Sequence, residues 1–189
     1  MKLYLASTSP RRKELLQSLK IPFEIIPPLF KEQVTQLSPA EEALYFAEQK
    51  ARSVASLCPR SLIIGSDTLI KCDGEKMGKP KDTQEARQFL KKLSGRSHSV
   101  LTAVVLLNTE DGTLKKYLAD VTVTFHDLSD QDIEDSLLSG EALDKAGAYA
   151  IQGKGKKFIQ KIEGEKEAVI GLPLKVLKKW LLDLLKSLS

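Results

Sequence analysis

Helix-start signals recur along this sequence, and each one follows a β-rich run. Ser9-Pro10, Ser38-Pro39-Ala40-Glu41, Asp82-Thr83-Gln84-Glu85 and Ser129-Asp130-Gln131-Asp132 each open with a side chain that can cap a helix. Such residues satisfy the free N–H groups of a new helix, and Pro at the first helical position has no N–H to lose. The runs that precede them are short and apolar or alternating. A chain that switches this way between periods of 2 and 3.6 folds as α/β.

The expected elements are a strand over 2–6, a helix over 10–19 and a strand over 23–26 closed by Pro27-Pro28. A long helix over 39–57 follows. Residues 62–64 read as a buried strand ending at Gly65-Ser66-Asp67. Residues 68–72 pair with 76–77 across the Asp73-Gly74 turn. A helix reaches Leu93, with Gly95 just past its end. Residues 98–107 and 116–125 form a long hairpin about Asp111-Gly112, and a helix then runs from Ser129 to Ser139-Gly140. A glycine-punctuated segment covers 144–155, and the last helix covers 172–188. Crossover helices beside a long hairpin imply a mixed sheet.

Composition narrows the function classes. With 29 Lys and Arg against 25 Asp and Glu, the net charge of +4 is too small for a dedicated nucleic-acid binder, though it mildly favours an anionic ligand. The 189 residues fit one domain, or two small lobes sharing a core. The longest stretch without a formal charge, 97–109, is 13 residues, short of the ~20 that a spanning helix needs. The first residues do not read as a secretory signal. Cys58 and Cys72 form no CxxC, and His98 and His126 lack the paired spacing of a zinc site. A reducing cytoplasm is the expected compartment.

Four polar patches carry chemistry. In Ser7-Thr8-Ser9-Pro10-Arg11-Arg12, two arginines sit at a helix start, where cations are locally unfavourable. A bound phosphate chain accounts for them; a capped surface helix with solvated arginines is the plainer alternative. Gly65-Ser66-Asp67-Thr68 puts an Asp at the end of a buried strand, placed to hold a divalent cation or orient a water, with Glu32 as a second carboxylate in a loop. By itself such an Asp more often caps a turn. Gly78-Lys79-Pro80 is a rigid turn presenting a lysine and is not a P-loop. Lys50 reads as part of a solvated helix face. In 144–153, small residues permit close backbone approach, and Tyr149 and Gln152 can offer a ring and an amide to a base edge. A tight packed loop explains the same residues. His98 reads as structural. The last helix has a leucine stripe with Trp180, including Leu184 and Leu185, and lysines elsewhere, among them Lys186; it reads as docked on the core rather than lying on a membrane.

Together these patches resemble the Maf family of nucleoside triphosphate pyrophosphatases. The resemblance rests on Ser7-Thr8-Ser9-Pro10-Arg11-Arg12, Lys50-Ala51, Gly65-Ser66-Asp67-Thr68 and Gly78-Lys79-Pro80. It extends to Ser94-Gly95-Arg96 with His98, Asp144-Lys145-Ala146-Gly147-Ala148-Tyr149-Ala150-Ile151-Gln152-Gly153, and Gly171-Leu172-Pro173-Leu174. It implies a two-lobed, elongated mixed sheet flanked by helices with a central cleft, similar to inosine triphosphate pyrophosphatases, formed by the whole chain 1–189 as one domain. It also implies hydrolysis of a nucleoside triphosphate to the monophosphate and pyrophosphate with Mg²⁺ or Mn²⁺. Asp67 matches the catalytic acidic residue. Arg12, Thr68 and Gln152 match positions that tune base selection. Ser7, Arg11, Lys50 and Lys79 match polar residues facing the phosphates, and Glu32 matches an acidic position that joins Asp67 on the metal.

Ile151-Gln152-Gly153 resembles the branch acting on dTTP and UTP; the branch acting on 7-methyl-GTP usually has Glu in place of that Gln. Ala168-Val169-Ile170 departs from the dTTP/UTP branch, which commonly has Asn or Ser before the Val. Family likeness also leads one to expect a homodimer and a link to septum formation. The rival readings are a pyrophosphatase of 7-methyl-GTP or a modified purine and a non-enzymatic binding module, the latter having no need of a carboxylate among cations on a buried strand. A membrane partner and a nucleic-acid partner are not expected, the latter because aromatic interleaving is lacking.

Overall fold

The structure, a computed structural model, describes residues 1–140 and 142–187. The expected end of the last helix at Leu188 and the side chains of Leu185 and Lys186 lie outside the described residues. Seven strands form a sheet: β1 (Lys2–Ala6), β2 (Glu24–Ile26), β3 (Ser61–Cys72), β4 (Glu75–Met77), β5 (Ser97–Asn108), β6 (Leu114–Phe125) and β7 (Ile159–Glu163). Their order is β2-β1-β3-β5-β6-β7, with β4 paired to β3. The helices are α1 (Pro10–Gln17), α2 (Pro39–Arg52), α3 (Thr83–Leu93), α4 (Asp130–Leu138), α5 (Lys166–Ile170) and α6 (Leu174–Ser187). The sheet is mixed: β1 is parallel to both neighbours, whereas β3–β4 and β6–β7 are antiparallel.

The chain divides into two compact units. The first holds Met1–Asp67, Thr102–Ala119 and the segment from Gly171 on. Its core joins Leu3 and Leu5 of β1, Leu16 of α1, Leu62 and Ile64 of β3, Val104 and Leu106 of β5, and Leu172, Leu177 and Leu181. Each such side chain contributes about 1.5–3 kcal/mol when fully buried. The stripe Leu177–Leu181 docks α6 on this core, as its pattern predicts, while Lys175, Lys178 and Lys179 stay exposed. The second unit holds Thr68–Leu101 and Asp120–Ile170, with a core built on Ile70, Leu90, Leu93, Val123, Phe125, Ile133 and Phe158.

Three sequence expectations are corrected. Gly65-Ser66-Asp67-Thr68 is not the end of a strand: β3 runs unbroken through it to Cys72, so Asp67 is a mid-strand residue. Gly65 is there for a helix, not a turn. A Cβ on Gly65 would lie 2.1 Å from the carbonyl oxygen of Ala47 and 3.1 Å from Ala51 Cβ, so the missing side chain lets α2 rest on β3. The long helix stops at Arg52 rather than residue 57. The Ser53 hydroxyl donates back to the Lys50 carbonyl at 2.9 Å, and a 3-10 turn, Ala55–Leu57, follows. The segment before the last helix holds β7 and α5, which its mixed polar sequence did not announce.

Candidate active site

In the first unit, β1 delivers the chain into the start of α1. Ser9 caps that helix by accepting from the Arg12 N–H, and the buried Ser7 hydroxyl accepts from the Ser9 N–H at 3.1 Å. Ser7 is thus committed to shaping the turn. Arg11 and Arg12 follow in the first helical turn, both half-buried. No acidic side chain occupies that turn to offset them. Burial pushes the Arg12 guanidinium below its usual pKa; the Asp67 charge opposes this and Arg11 adds to it, with a smaller opposing effect of Glu32. Arg12 Nε donates to the Gly171 carbonyl at 2.9 Å.

Lys50 is the clearest departure from the sequence reading. It is not on a solvated face: it is buried, on the same stripe of α2 as Ala43, Phe46, Ala47 and Ala51. The signal was present in the spacing, because Lys50 stands three residues after Ala47 and seven after Ala43. Its ammonium meets Asp67 Oδ1 at 2.5 Å and Glu32 Oε1 at 2.6 Å. Gly65 and Asp67 face the same side of β3, two residues apart. The close approach that Gly65 permits therefore brings Lys50 to Asp67. Glu32 comes from the irregular segment 27–38 and remains partly exposed, its side chain 46% accessible. Three of the residues expected to do chemistry are thus gathered within direct contact in one unit.

The donor set suits a divalent cation. Two carboxylates converge on a single positive centre, and hard oxygen ligands are what Mg²⁺ and Mn²⁺ take. Among the described residues no group of three or more His, Cys, Asp or Glu could hold a metal ion. Two carboxylates completed by water and substrate phosphates are the usual Mg²⁺ arrangement.

In the second unit, the Gly147 N–H donates to the Gly78 carbonyl at 3.0 Å, tying the Gly78-Lys79-Pro80 turn to the segment that carries Gln152. Gly147 has φ +66°, and a Cβ there would lie 2.4 Å from Ile70 Cδ1. Lys79 and Gln152 are exposed and Thr68 is half-buried. Tyr149 presents no ring to a ligand. It is buried, its hydroxyl 2.6 Å from His98 Nε2 and its ring edge-to-face with Phe125 at 4.7 Å. His98 is buried, in keeping with its structural reading, and among the described residues its Nδ1 has no hydrogen-bond partner.

Burial pushes the His98 pKa down to about 4. An unfolded histidine titrates near ~6.5, so between these values the unfolded chain binds more protons and stability falls as pH falls. The loss is fully developed below the folded value and amounts to about 3 kcal/mol, at most about 1.4 kcal/mol per pH unit. Urea unfolding from pH 7 to pH 4 should show that slope in the wild type and a flatter one in His98→Gln. Equal slopes would remove His98 as the acid-sensitive group.

A mixed α/β protein with a cationic helix start, and with a lysine clamped between two carboxylates, is the class that this geometry defines. The family described as Maf-like protein matches residues 2–184. The chain belongs to the Maf family. It is 46% identical over 184 residues to the dTTP/UTP pyrophosphatase of Carboxydothermus hydrogenoformans, spanning 95% of this chain and 99% of that one. Identity to the protein of the same name from Bacillus velezensis is 48%, over 92% and 91% of the two chains. For that of Salmonella typhimurium it is 45%, over 91% and 87%. Among solved structures, the Staphylococcus aureus Ham1 protein shares 16% identity over 66% of this chain and 72% of its own, with a TM-score of 0.48. That likeness is too slight to bear on fold or function.

Proposed function

We propose that this protein is a pyrophosphatase of dTTP and UTP, releasing pyrophosphate and leaving the nucleoside monophosphate. The observation that carries the reading is the Lys50 ammonium held between Asp67 and Glu32, on a chain whose Maf relatives bear that activity in their names. Asp67 accepts a proton from the water that attacks the α-phosphorus. The bond from that phosphorus to the bridging oxygen breaks, and pyrophosphate departs. Asp67 and Glu32 would hold the Mg²⁺ or Mn²⁺ that the family implies, which supplies charge neutralisation to the triphosphate when bound. Arg11, Lys50 and Lys79 stabilise the charge that develops on the leaving group, and Ser7 keeps the turn before α1 in shape. Arg12, Thr68 and Gln152 select the base.

The cytoplasm is the compartment this reading assigns. Cys58 and Cys72 are both buried free thiols, which suits a reducing environment. Among the described residues no helix is long and apolar enough to cross a membrane. A homodimer is the assembly to test by light scattering.

The test is a pyrophosphate-release panel of dTTP, UTP, CTP, GTP, ITP and 7-methyl-GTP with Mg²⁺ or Mn²⁺. Turnover should be highest for dTTP and UTP. Gln152→Glu replaces an amide that can donate and accept with a group that only accepts. The change should lower kcat/KM for dTTP about ten- to a hundredfold, the cost of one mispaired polar contact. The exposed position of Gln152 predicts little change in unfolding temperature. Turnover of 7-methyl-GTP alone would keep the reaction and overturn the substrate.

A further inference from the structure

Ser66 and Gly171 stand in sequence motifs that no step above uses, yet they meet at one atom of the first unit. The Gly171 carbonyl accepts from Arg12 Nε at 2.9 Å, and Ser66 Oγ lies 3.0 Å from the same oxygen. Ser66 Oγ also lies 2.8 Å from the carbonyl of Ala103 on β5. Ser66 is wholly buried on β3. A hydroxyl has one proton to donate, so Ser66 divides it between two carbonyls, while a carbonyl with two lone pairs can take Ser66 and Arg12 together. Gly171 has φ +135°, a conformation that favours glycine. The carbonyl is therefore aimed by backbone geometry and braced by a side chain that cannot turn to solvent.

What this aims is a planar group. A guanidinium carries its donors in a rigid fork, so anchoring Nε fixes the plane and the directions of the Nη donors. A lysine has no such fork. The contact separates two jobs that the sequence cannot separate: Arg12 supplies charge, and its anchor supplies orientation.

We propose that Ser66 and Gly171 are positioning residues for Arg12: the Gly171 carbonyl, braced by the buried Ser66 hydroxyl, fixes the Arg12 guanidinium and so sets how sharply the enzyme tells one base from another. The proposal rests on the reading of Arg12 as a base-selecting residue. Ser66 acts only through Arg12 and touches no reacting atom.

The experiment is a set of kcat and KM values for dTTP, UTP, CTP and GTP. It compares wild type, Arg12→Ala, Arg12→Lys, Ser66→Ala and the Arg12→Ala/Ser66→Ala double variant, each checked for folding by thermal unfolding. Ser66→Ala should lower the ratio of kcat/KM for dTTP over CTP about three- to tenfold, the scale of one hydrogen bond, with KM moving more than kcat. In the Arg12→Ala background the same change should have no further effect on that ratio. Arg12→Lys should discriminate as poorly as Arg12→Ala. A Ser66 effect that persists in the double variant makes Ser66 merely structural and overturns the proposal, leaving the role of Arg12 intact. Arg12→Ala with wild-type discrimination overturns that role, and the positioning proposal falls with it. If Ser66→Ala does not fold, the Arg12→Lys comparison decides: discrimination kept by lysine shows that the anchor sets nothing.

Discussion

Asp67→Asn is expected to lower turnover of dTTP about a hundred- to ten-thousandfold, the range lost when a positioned acid–base group is removed. The substitution keeps size and shape. The Asn carbonyl can still accept from Lys50, and Lys50 keeps its second partner in Glu32. What disappears is the negative charge and the proton acceptor on a mid-strand position that is 6% exposed. The fold should therefore survive, with a stability loss of about 1–2 kcal/mol for weakening one charge-assisted hydrogen bond. Pyrophosphate release and thermal unfolding, measured on the same preparation, separate the two effects. Turnover within tenfold of wild type would remove Asp67 from the chemistry, whereas a folded wild type that turns over no nucleotide would favour a binding module in place of an enzyme.

Lys50→Met tests the other half of the constellation and should have the larger effect on stability. Methionine fills much of the same volume on the buried face of α2, so packing is largely kept. The loss is electrostatic. Asp67 and Glu32 both lie within 2.6 Å of the Lys50 ammonium and are left without that cation between them. Stranding a buried charge costs about 3–5 kcal/mol, and the partial exposure of Glu32 brings the expectation to about 2–4 kcal/mol. Activity should fall as well, since Lys50 is one of the cations assigned to the leaving group. A divalent cation should recover stability in this variant. Ligand at a hundred times its dissociation constant stabilises by about 2.7 kcal/mol. Added Mn²⁺ should therefore raise the unfolding temperature of Lys50→Met more than that of the wild type. No difference between them would argue against a metal on Asp67 and Glu32, independently of any turnover measurement.

The two substitutions also mark where sequence reading held and where it stopped. The motif around Asp67 pointed to a carboxylate for a cation or a water, with Glu32 as a second carboxylate in a loop, and it was the family resemblance that joined Arg11, Lys50 and Lys79 to them. The direct contact of Lys50 with both was not, because Lys50 was read on its own rather than against the stripe of Ala43 and Ala47. Gly65 gave the opposite error. A glycine after three apolar residues looks like the end of a strand, and only the 2.1 Å distance from its absent Cβ to the Ala47 carbonyl oxygen shows that it answers a helix instead. Tyr149, offered as a ring for a base, is engaged by His98 and Phe125, neither of which is near it in sequence.

By itself the sequence determined what is local: the capped starts of α1, α2, α3 and α4, the periods that make strands and helices, and the α/β class that follows from their alternation. Caps and periods act over a few residues, so the chain states them directly. The tertiary structure alone decided which distant side chains share a proton or a charge. Lys50 between Asp67 and Glu32, and Arg12 on the carbonyl of Gly171 at a separation of 159 residues, are contacts created by packing α2 on β3 and by the return of the chain at Gly171. Local propensity carries no information about such pairs. They are set by where the hydrophobic core closes, and a close-packed interior leaves those side chains few other places to go.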